Sequence, residues 1–347
     1  MGVLNVTPDS FSDGGLYLDP RAAIARGLEM ARQGADWIDV GGESTRPGAK
    51  PVPAKEELRR VLPVIRGLRR RDPSLPISID TTKAEVAKGA VQAGASIIND
   101  VSGLRFDPTL ADIARRERTP LVLMHLRGTP ETMQQRPFSQ FIMRSLGRGL
   151  AWSIRQALEH GVSRSQLVID PGLGFGKTRR QNFEILARLH RLLRCGLPLM
   201  VGSSRKSFVQ AVAAGEELDP QRVAQTSRFR RSAAFNGVAA PAARSRKRGS
   251  LRPLKKAGEG RGFSPAAGTP SSEGIENIGA RFSAGLKAPP FSEVQAPLAL
   301  EVADAAMVVA AILGGAHIVR VHDVAAILPA VRIADRILEA AGEGASR

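Results

Sequence analysis

The chain has 347 residues, 43% of them apolar, enough for one large core or two smaller ones. Its single cysteine, Cys195, excludes an internal disulfide and fits a reducing compartment. The formal net charge of +17 would ordinarily suggest nucleic acid or an anionic surface, but residues 221–297 alone hold 14 Lys/Arg against 4 Asp/Glu, so the basicity belongs mainly to one segment. The longest apolar run, Ala305–Leu313, is too short to span a membrane. Residues 1–20 carry Asp9, Asp13 and Asp19 with no basic start or apolar stretch, so no signal peptide is read and a cytoplasmic location is expected.

In chain order, short apolar strands are expected near residues 1–6, 36–40, 76–80, 96–99, 120–124, 167–170 and 198–202. Helical stretches such as Arg21–Gln33, Lys55–Arg70, Lys83–Ala93, Arg148–His160 and Arg180–Arg194 separate them. Ala306–Leu313 reads as a further helix and His317–Val321 as an eighth strand. Near-continuous Val/Ile/Leu runs suit strands buried on both faces, as in a parallel sheet. Eight alternating units predict an α/β chain folded as a (β/α)8 TIM barrel, not an open doubly wound sheet. Gly34-Ala35, Gly94-Ala95 and Gly315-Ala316 each stand just before a strand and read as helix C-caps.

From about residue 226 to 297 neither a helical nor a strand period is sustained. Arg228-Phe-Arg-Arg231, Arg244-Ser-Arg-Lys-Arg248 and Lys255-Lys256 sit among Gly, Pro, Ser and Ala, so the stretch reads as a disordered, basic, low-complexity insertion between strands 7 and 8. The expected division is therefore 1–225, first part of the barrel; 226–297, insertion; and 298–347, last strand and helices.

The chemistry falls where strands end, the working face of such a barrel. Asp80, Asn99 and Asp170 end three different strands and should meet in one mouth. Two carboxylates and an amide suit the edge of a flat heterocycle rich in N–H donors, such as an aminopterin; the competing reading makes them N-caps of the following helices. Arg205, Lys206 and Ser207 open a helix after strand 7, where barrels commonly bind anions. Arg320 and His322 fall on the same side of the last strand end and suit a phosphate or pyrophosphate. His125 at the end of strand 5 is read either as lining the site or as structural; His317 is read as structural. The glycine-rich stretches Thr7–Gly15 and Gly41–Gly48 read as lids that exclude water. Gly172–Gly176 lacks the spacing of a dinucleotide fingerprint, and its Phe175 suits an aromatic wall. With no zinc cluster in the sequence, a transient Mg2+ bridged by pyrophosphate and Asn5 is more plausible than a resident metal.

Eight ordered segments, Met1–Gly15, Asp39–Gly48, Ser78–Thr82, Asn99–Gly103, Leu123–Gly128, Asp170–Lys177, Gly202–Ser207 and Arg320–Val324, resemble the successive signatures of the dihydropteroate synthase family of pterin-binding barrels. The resemblance covers roughly residues 1–225 and 298–340. It implies a transferase of folate biosynthesis that joins 6-hydroxymethyl-7,8-dihydropterin pyrophosphate to p-aminobenzoate, and a homodimer. Carried over residue by residue, it implies that Asp80, Asn99, Asp170 and Lys206 hold the pterin. Asn5, Arg46, Arg320 and His322 would hold pyrophosphate and its Mg2+, with Lys206, Arg320 and His322 as the catalytic set. Thr45, Pro47, Phe175, Lys206 and Ser207 would frame p-aminobenzoate, with Phe11 from the first lid. Two features depart from the family: the chain starts at the first strand, and the insertion separates Lys206 from Arg320.

Two other readings compete. A pterin barrel passing a methyl group from methyltetrahydrofolate to a corrinoid protein shares the acceptors but does not need the Ser204–Ser207 and Arg320/His322 anion set. A barrel without catalysis, using the insertion to bind nucleic acid, is weakened by sparse aromatic interleaving, namely Phe229, Phe235, Phe263, Phe282 and Phe291.

Overall fold

The computed structural model describes residues 1–7, 19–45, 48–129, 132–133, 141–202, 204, 206–214 and 296–344. Phe11, Arg46, Pro47, Arg205 and all of the 226–297 segment except its last two residues lie outside the described residues. Strands and helices alternate among the described residues up to Ala213. β1 (Gly2–Asn5), α1 (Pro20–Arg32), β2 (Ile38–Gly41), α2 (Ala54–Arg71), β3 (Ile77–Asp80), α3 (Ala84–Gln92), β4 (Ile97–Asp100) and α4 (Leu110–Glu117) form the first half. β5 (Leu121–Met124), α5 (Ile142–Glu159), β6 (Leu167–Asp170), α6 (Arg179–Ala187), β7 (Met200–Gly202) and α7 (Ser207–Ala213) follow. After the segment come α8 (Ala296–Leu313), β8 (Ile318–Arg320) and α9 (Val324–Gly344).

β1 to β6 form one parallel sheet in sequence order, and β7 pairs with β8 as a second parallel sheet. Single bridges join the two arcs, Ile169 with Leu199 at one seam and Gly2 with Val321 at the other. At those seams Ile169 N–H donates to Pro198 O at 3.0 Å, Val3 N–H to Val321 O at 2.9 Å and Val321 N–H to Met1 O at 3.0 Å. The ring of eight strands is thereby closed, as expected for a (β/α)8 TIM barrel.

Strand alternation sorts the side chains. Ile38, Val40, Ile77, Ile79, Ile98, Leu121, Leu123, Leu167 and Ile169 face outward and join the helices in the main core. Each fully buried aliphatic side chain there contributes about 1.5–3 kcal/mol. Met1, Ile97, Val122, Val168 and Met200, with Trp37 and Ile318 against them, make an apolar layer inside the barrel. Two residues further along four of the strands the interior becomes polar, with Asp39, Asn99, Asp170 and Arg320 above Trp37, Ile97, Val168 and Ile318. This change of layer sets where the chemistry sits.

The three Gly-Ala pairs behave as C-caps. Gly34, Gly94 and Gly315 have φ of +104°, +117° and +99°, and the following alanine N–H returns to the carbonyl five residues back at 2.9–3.0 Å in each case. Helix extents differ from expectation in three places. α5 begins at Ile142, not Arg148, despite Gly147 and Gly149: a Cβ on Gly149 would stand 2.4 Å from the His125 ring, so packing overrides the poor helix propensity of glycine. The stretch read as one helix over Arg180–Arg194 divides into α6 and a tighter 3-10 turn, Leu189–Cys195. α8 extends back to Ala296, ten residues ahead of Ala306. Among the described residues no helix is long and apolar enough to cross a membrane.

Candidate active site

Asp39 and Asp80 end up buried because β2 and β3 carry them on the inner face, above the apolar layer. A carboxylate in that position must find donors. Asp39 accepts from the Ser78 hydroxyl, from Asn99 Nδ2 at 3.1 Å and from Arg320 Nε at 2.7 Å. Arg320 Nη2 also donates to Asp80 Oδ2 at 2.7 Å, so one guanidinium bridges two carboxylates across the mouth. Burial pushes Asp80 above the usual carboxylate range, opposed by Arg320 and aided by the neighbouring Asp39; the two carboxylates hold Arg320 firmly charged against its burial. Register pairs Asp80 with Asn99. Because Asn99 gives its amide N–H to acceptor-only Asp39, its carbonyl oxygen turns away from that carboxylate.

Asp170 ends β6 and begins a loop shaped by glycine. Gly172, Gly174 and Gly176 all have φ between +64° and +83°. A Cβ at Gly172 would meet His125 O at 2.3 Å and one at Gly176 would meet Arg127 O at 2.5 Å, so the loop lies flat on the end of β5 only with glycine there. Lys177 fastens it. Its buried Nζ donates to His125 O at 3.0 Å, Gly172 O at 2.7 Å and Phe175 O at 2.9 Å, the three bonds an ammonium can make. Thr178 and Gln181 then close a capping box that starts α6. Burial lowers the Lys177 amine to about 7, opposed by Asp170. Asp170 itself accepts from Gly172 N–H at 2.6 Å, and burial raises it to about 6 against that hydrogen bond and Lys206.

Lys206 lies just ahead of α7, its Nζ 4.1 Å from the centre of the Phe175 ring, a cation–π distance. Burial and Arg320 lower its amine to about 8, opposed by Asp170 and Asp80. Asn99, Asp170, Phe175, Lys206 and Arg320 line one cleft, walled also by Met124 and Met200. The cleft thus combines hydrogen-bond acceptors, an aromatic face and two cations.

The chain as a whole is similar to known proteins. A family model described as pterin binding enzyme matches residues 1–241. Dihydropteroate synthase from Synechocystis is 45% identical over 221 residues, 64% of this chain and 75% of that one. The Escherichia coli dihydropteroate synthase is 43% identical over 209 residues, 60% of this chain and 73% of its own. The crystal structure of dihydropteroate synthase from Clostridium difficile in the presence of pteroic acid aligns with a TM-score of 0.68 and 34% identity, covering 97% of this chain and 95% of that one. The Xanthomonas albilineans enzyme with 4-aminobenzoic acid aligns with a TM-score of 0.67 and 35% identity, covering 97% and 92%. The chain belongs to the dihydropteroate synthase family.

Within this dihydropteroate synthase fold, the expected acceptors Asp80, Asn99 and Asp170 stand on one end of the barrel. They are not N-caps, since Lys83, Thr109 and Thr178 occupy the N-cap positions of the helices that follow. Thr45 is half-buried on the β2–α2 loop, which Glu43 braces by accepting from Val52 N–H at 3.2 Å and from Lys83. Ser207 is exposed at the first position of α7. His322 turns its Nδ1 to Ser204 Oγ at 3.3 Å. Asn5 is half-buried at the end of β1. His125 is buried and does not line the cleft; Met124 takes the inward position, so alternation sends the imidazole outward to α5, where burial and then Lys177 drive it down to about 2. The sequence reading assigned no individual role to Asp39, Lys177 or Asp304, and placed Ser204 only within the anion-binding stretch Ser204–Ser207. For Asp39 a signal existed: a carboxylate inside an apolar strand, two residues from Gly41 on the inner face.

Proposed function

We propose that the chain condenses 6-hydroxymethyl-7,8-dihydropterin pyrophosphate with p-aminobenzoate, giving 7,8-dihydropteroate and pyrophosphate. The observation that carries this is the single cleft lined by Asn99, Asp170, Phe175, Lys206 and Arg320. Relatives whose structures contain pteroic acid, 4-aminobenzoic acid and 7,8-dihydropteroate support the same substrates here.

In this reading Asp170 and the Asn99 carbonyl accept from the pterin's N–H edge, and Asp80 completes the acceptor set while anchoring Arg320. Lys206, a short distance from Phe175, reaches the pterin and borders the arylamine, with Ser207 and Thr45 as further arylamine residues. Arg320 and His322 meet the pyrophosphate; the family resemblance adds Arg46 to the pyrophosphate set and Pro47 and Phe11 to the arylamine set. The bond between the pterin methylene carbon and the pyrophosphate oxygen breaks, and its electron pair leaves with pyrophosphate. The electron-rich dihydropterin stabilises the cationic carbon. The arylamine nitrogen then forms the new C–N bond and loses a proton. Because aniline nitrogen is already unprotonated at neutral pH, no strong general base is required, and the residues act by orientation and by offsetting charge on the leaving group.

Mg2+ fits this arrangement. A Cβ on Gly41 would stand 3.6 Å from Asn5 Oδ1 and 3.8 Å from Asp80 Oδ2, so the glycine leaves a gap bordered by hard oxygen donors. Among the described residues no cluster of three His, Cys, Asp or Glu could cage a metal. A single amide donor with phosphate oxygens is a usual Mg2+ environment. Asn5 would hold the ion, which when bound would neutralise pyrophosphate charge. A homodimer is supported by apolar residues left exposed on the adjoining helices α8 and α9, Val302 at 61%, Ile333 at 60% and Ile337 at 45%. The single cysteine supports a cytoplasmic location.

A coupled pyrophosphate-release assay tests the reaction. Release should require the pterin pyrophosphate and rise on adding p-aminobenzoate, with dihydropteroate formed in equal amount. Release that ignores p-aminobenzoate, or none from folded protein, would sink this reading.

A further inference from the structure

α8 is apolar from Leu298 to Leu313 except for Glu301 and Asp304, and Asp304 is 5% exposed. A carboxylate buried in such a helix costs several kcal/mol unless donors meet it, and alanine would serve the helix better. Its position brings it to the β7–α7 turn. Ser204, also buried, has its Oγ 3.1 Å from Asp304 Oδ2. The same oxygen lies 3.3 Å from His322 Nδ1 and 3.4 Å from the His322 backbone nitrogen. Directions follow from the donor inventory. Asp304 only accepts, so the Ser204 hydroxyl proton points to it. The Ser204 oxygen then accepts from His322, which keeps a proton on Nδ1 and fixes the ring. With Nδ1 toward Ser204, Nε2 is the ring nitrogen that would meet a phosphate oxygen, as an N–H donor in the imidazolium form.

We propose that Asp304 is a positioning residue for His322, acting through the Ser204 hydroxyl to orient the imidazole that holds the pyrophosphate. This rests on the reading of His322 as a pyrophosphate ligand. Three separate elements supply the chain: the turn after β7, the middle of α8 and the residues after β8. A segment of more than 80 residues of sequence separates Ser204 from Asp304, so the contact couples the two parts of the chain that carry Lys206 and His322. In this arrangement Asp304 acts through Ser204 on ring orientation and tautomer, not on the substrate itself.

The test uses the full chain and four variants, Asp304→Ala, Asp304→Asn, Ser204→Ala and His322→Ala. Calorimetry measures affinity for inorganic pyrophosphate and for 6-hydroxymethylpterin without phosphate, and 15N NMR reads the His322 ring tautomer. Asp304→Ala is expected to weaken pyrophosphate about tenfold, the size of one lost charge-assisted hydrogen bond, and to shift the tautomer, while phosphate-free pterin changes less than about twofold. Asp304→Asn keeps an acceptor for Ser204 and should restore most of the loss. The double variant with Ser204→Ala should be no worse than Ser204→Ala alone, as for groups acting in one chain. Equal weakening of both ligands, or an unchanged tautomer in Asp304→Ala, would overturn the proposal. A pyrophosphate loss in His322→Ala without one in Asp304→Ala overturns the positioning role alone. Unchanged pyrophosphate affinity in His322→Ala overturns the reading of the ligand itself, and the positioning role with it.

Discussion

The barrel mouth has two unequal halves. The acceptors Asp39, Asp80, Asn99 and Asp170 stand on β2, β3, β4 and β6, within one continuous six-stranded arc, and each is buried. The cations Lys206 and Arg320 and the imidazole of His322 stand on the β7–β8 pair, which meets the arc through one bridge at each seam. In the proposed reading, most acceptors for the flat ring thus stand on the six-stranded part of the sheet. The groups proposed to meet the departing anion, Arg320 and His322, lie at the end of β8 in the two-stranded part, whose connection is long. Arg320 is the exception that joins them, since its guanidinium lies between Asp39 and Asp80.

Removing that link should have the largest effect. Arg320→Met leaves two buried carboxylates without their cation, a loss of about 3–5 kcal/mol in denaturant unfolding, and both pterin and pyrophosphate binding should fall with it. A variant as stable as the parent would mean that the two halves are held together in another way. Lys177→Met tests the acceptor half alone. It strips three buried carbonyls of their donor and should cost about 2–3 kcal/mol, loosening the loop that carries Phe175. Hydrogen exchange should then rise at Gly172–Gly176 and stay unchanged in β7 and β8. His322→Ala tests the other half: pyrophosphate binding should weaken by about 1.5–3 kcal/mol, with phosphate-free pterin and global stability nearly unaffected.

pH separates the halves further. Asp170 must be ionised to accept from two pterin N–H groups, and burial raises it to about 6. Pterin affinity should therefore be level above about pH 6 and fall about tenfold per unit below it. Stability of the unliganded protein should move the other way. A carboxylate whose folded value exceeds its unfolded value of about 3.9 binds its proton more tightly in the fold, so its contribution is present at low pH and lost as pH rises through about 6. Asp100, also raised to about 6 by burial, adds to the same trend. Calorimetric pterin titrations from pH 5 to 8, beside thermal unfolding over the same range, check both slopes; binding that strengthens on acidification would exclude ionised Asp170 as the acceptor.

How much of this was legible in the sequence depends on the distance over which each feature is decided. Strand positions and the Gly-Ala caps are local, and a single apolar run or a positive-φ glycine announces them. Asp80, Asn99 and Asp170 could be grouped because strand ends share a face. The bridging of Asp39 and Asp80 by Arg320 could not, since it joins residues 281 and 240 positions apart and nothing local distinguishes it from an anion clamp. Lys177 stood in the sequence only as the end of the Asp170–Lys177 segment, because its three partners are backbone carbonyls, which leave no mark in sequence. His125 shows the converse: its place at a strand end suggested the mouth, but one step of alternation decides between cleft and core.

The smallest expected effect concerns the connection itself. Residues before and after it form one compact unit, Met1–Leu218 with Phe291–Arg347; β7 pairs directly with β8, from Met200–Ile318 to Gly202–Arg320. Among the described residues, β7 and β8 themselves supply the pairing that closes this half. The composition of residues 226–295, rich in Gly, Pro, Ser and like charges, offers no periodic apolar face with which to add to a core. Replacing them with a short Gly/Ser linker should change unfolding free energy by less than about 1 kcal/mol, since loop-closure entropy varies only as the logarithm of length. Pterin and pyrophosphate affinities should stay within about twofold. A loss confined to pyrophosphate would show that the segment supports the cation half, and a loss of folding would show that it packs on the barrel. Unchanged binding of both ligands would establish that the two-stranded half is held by β7, β8, α7 and α8 alone.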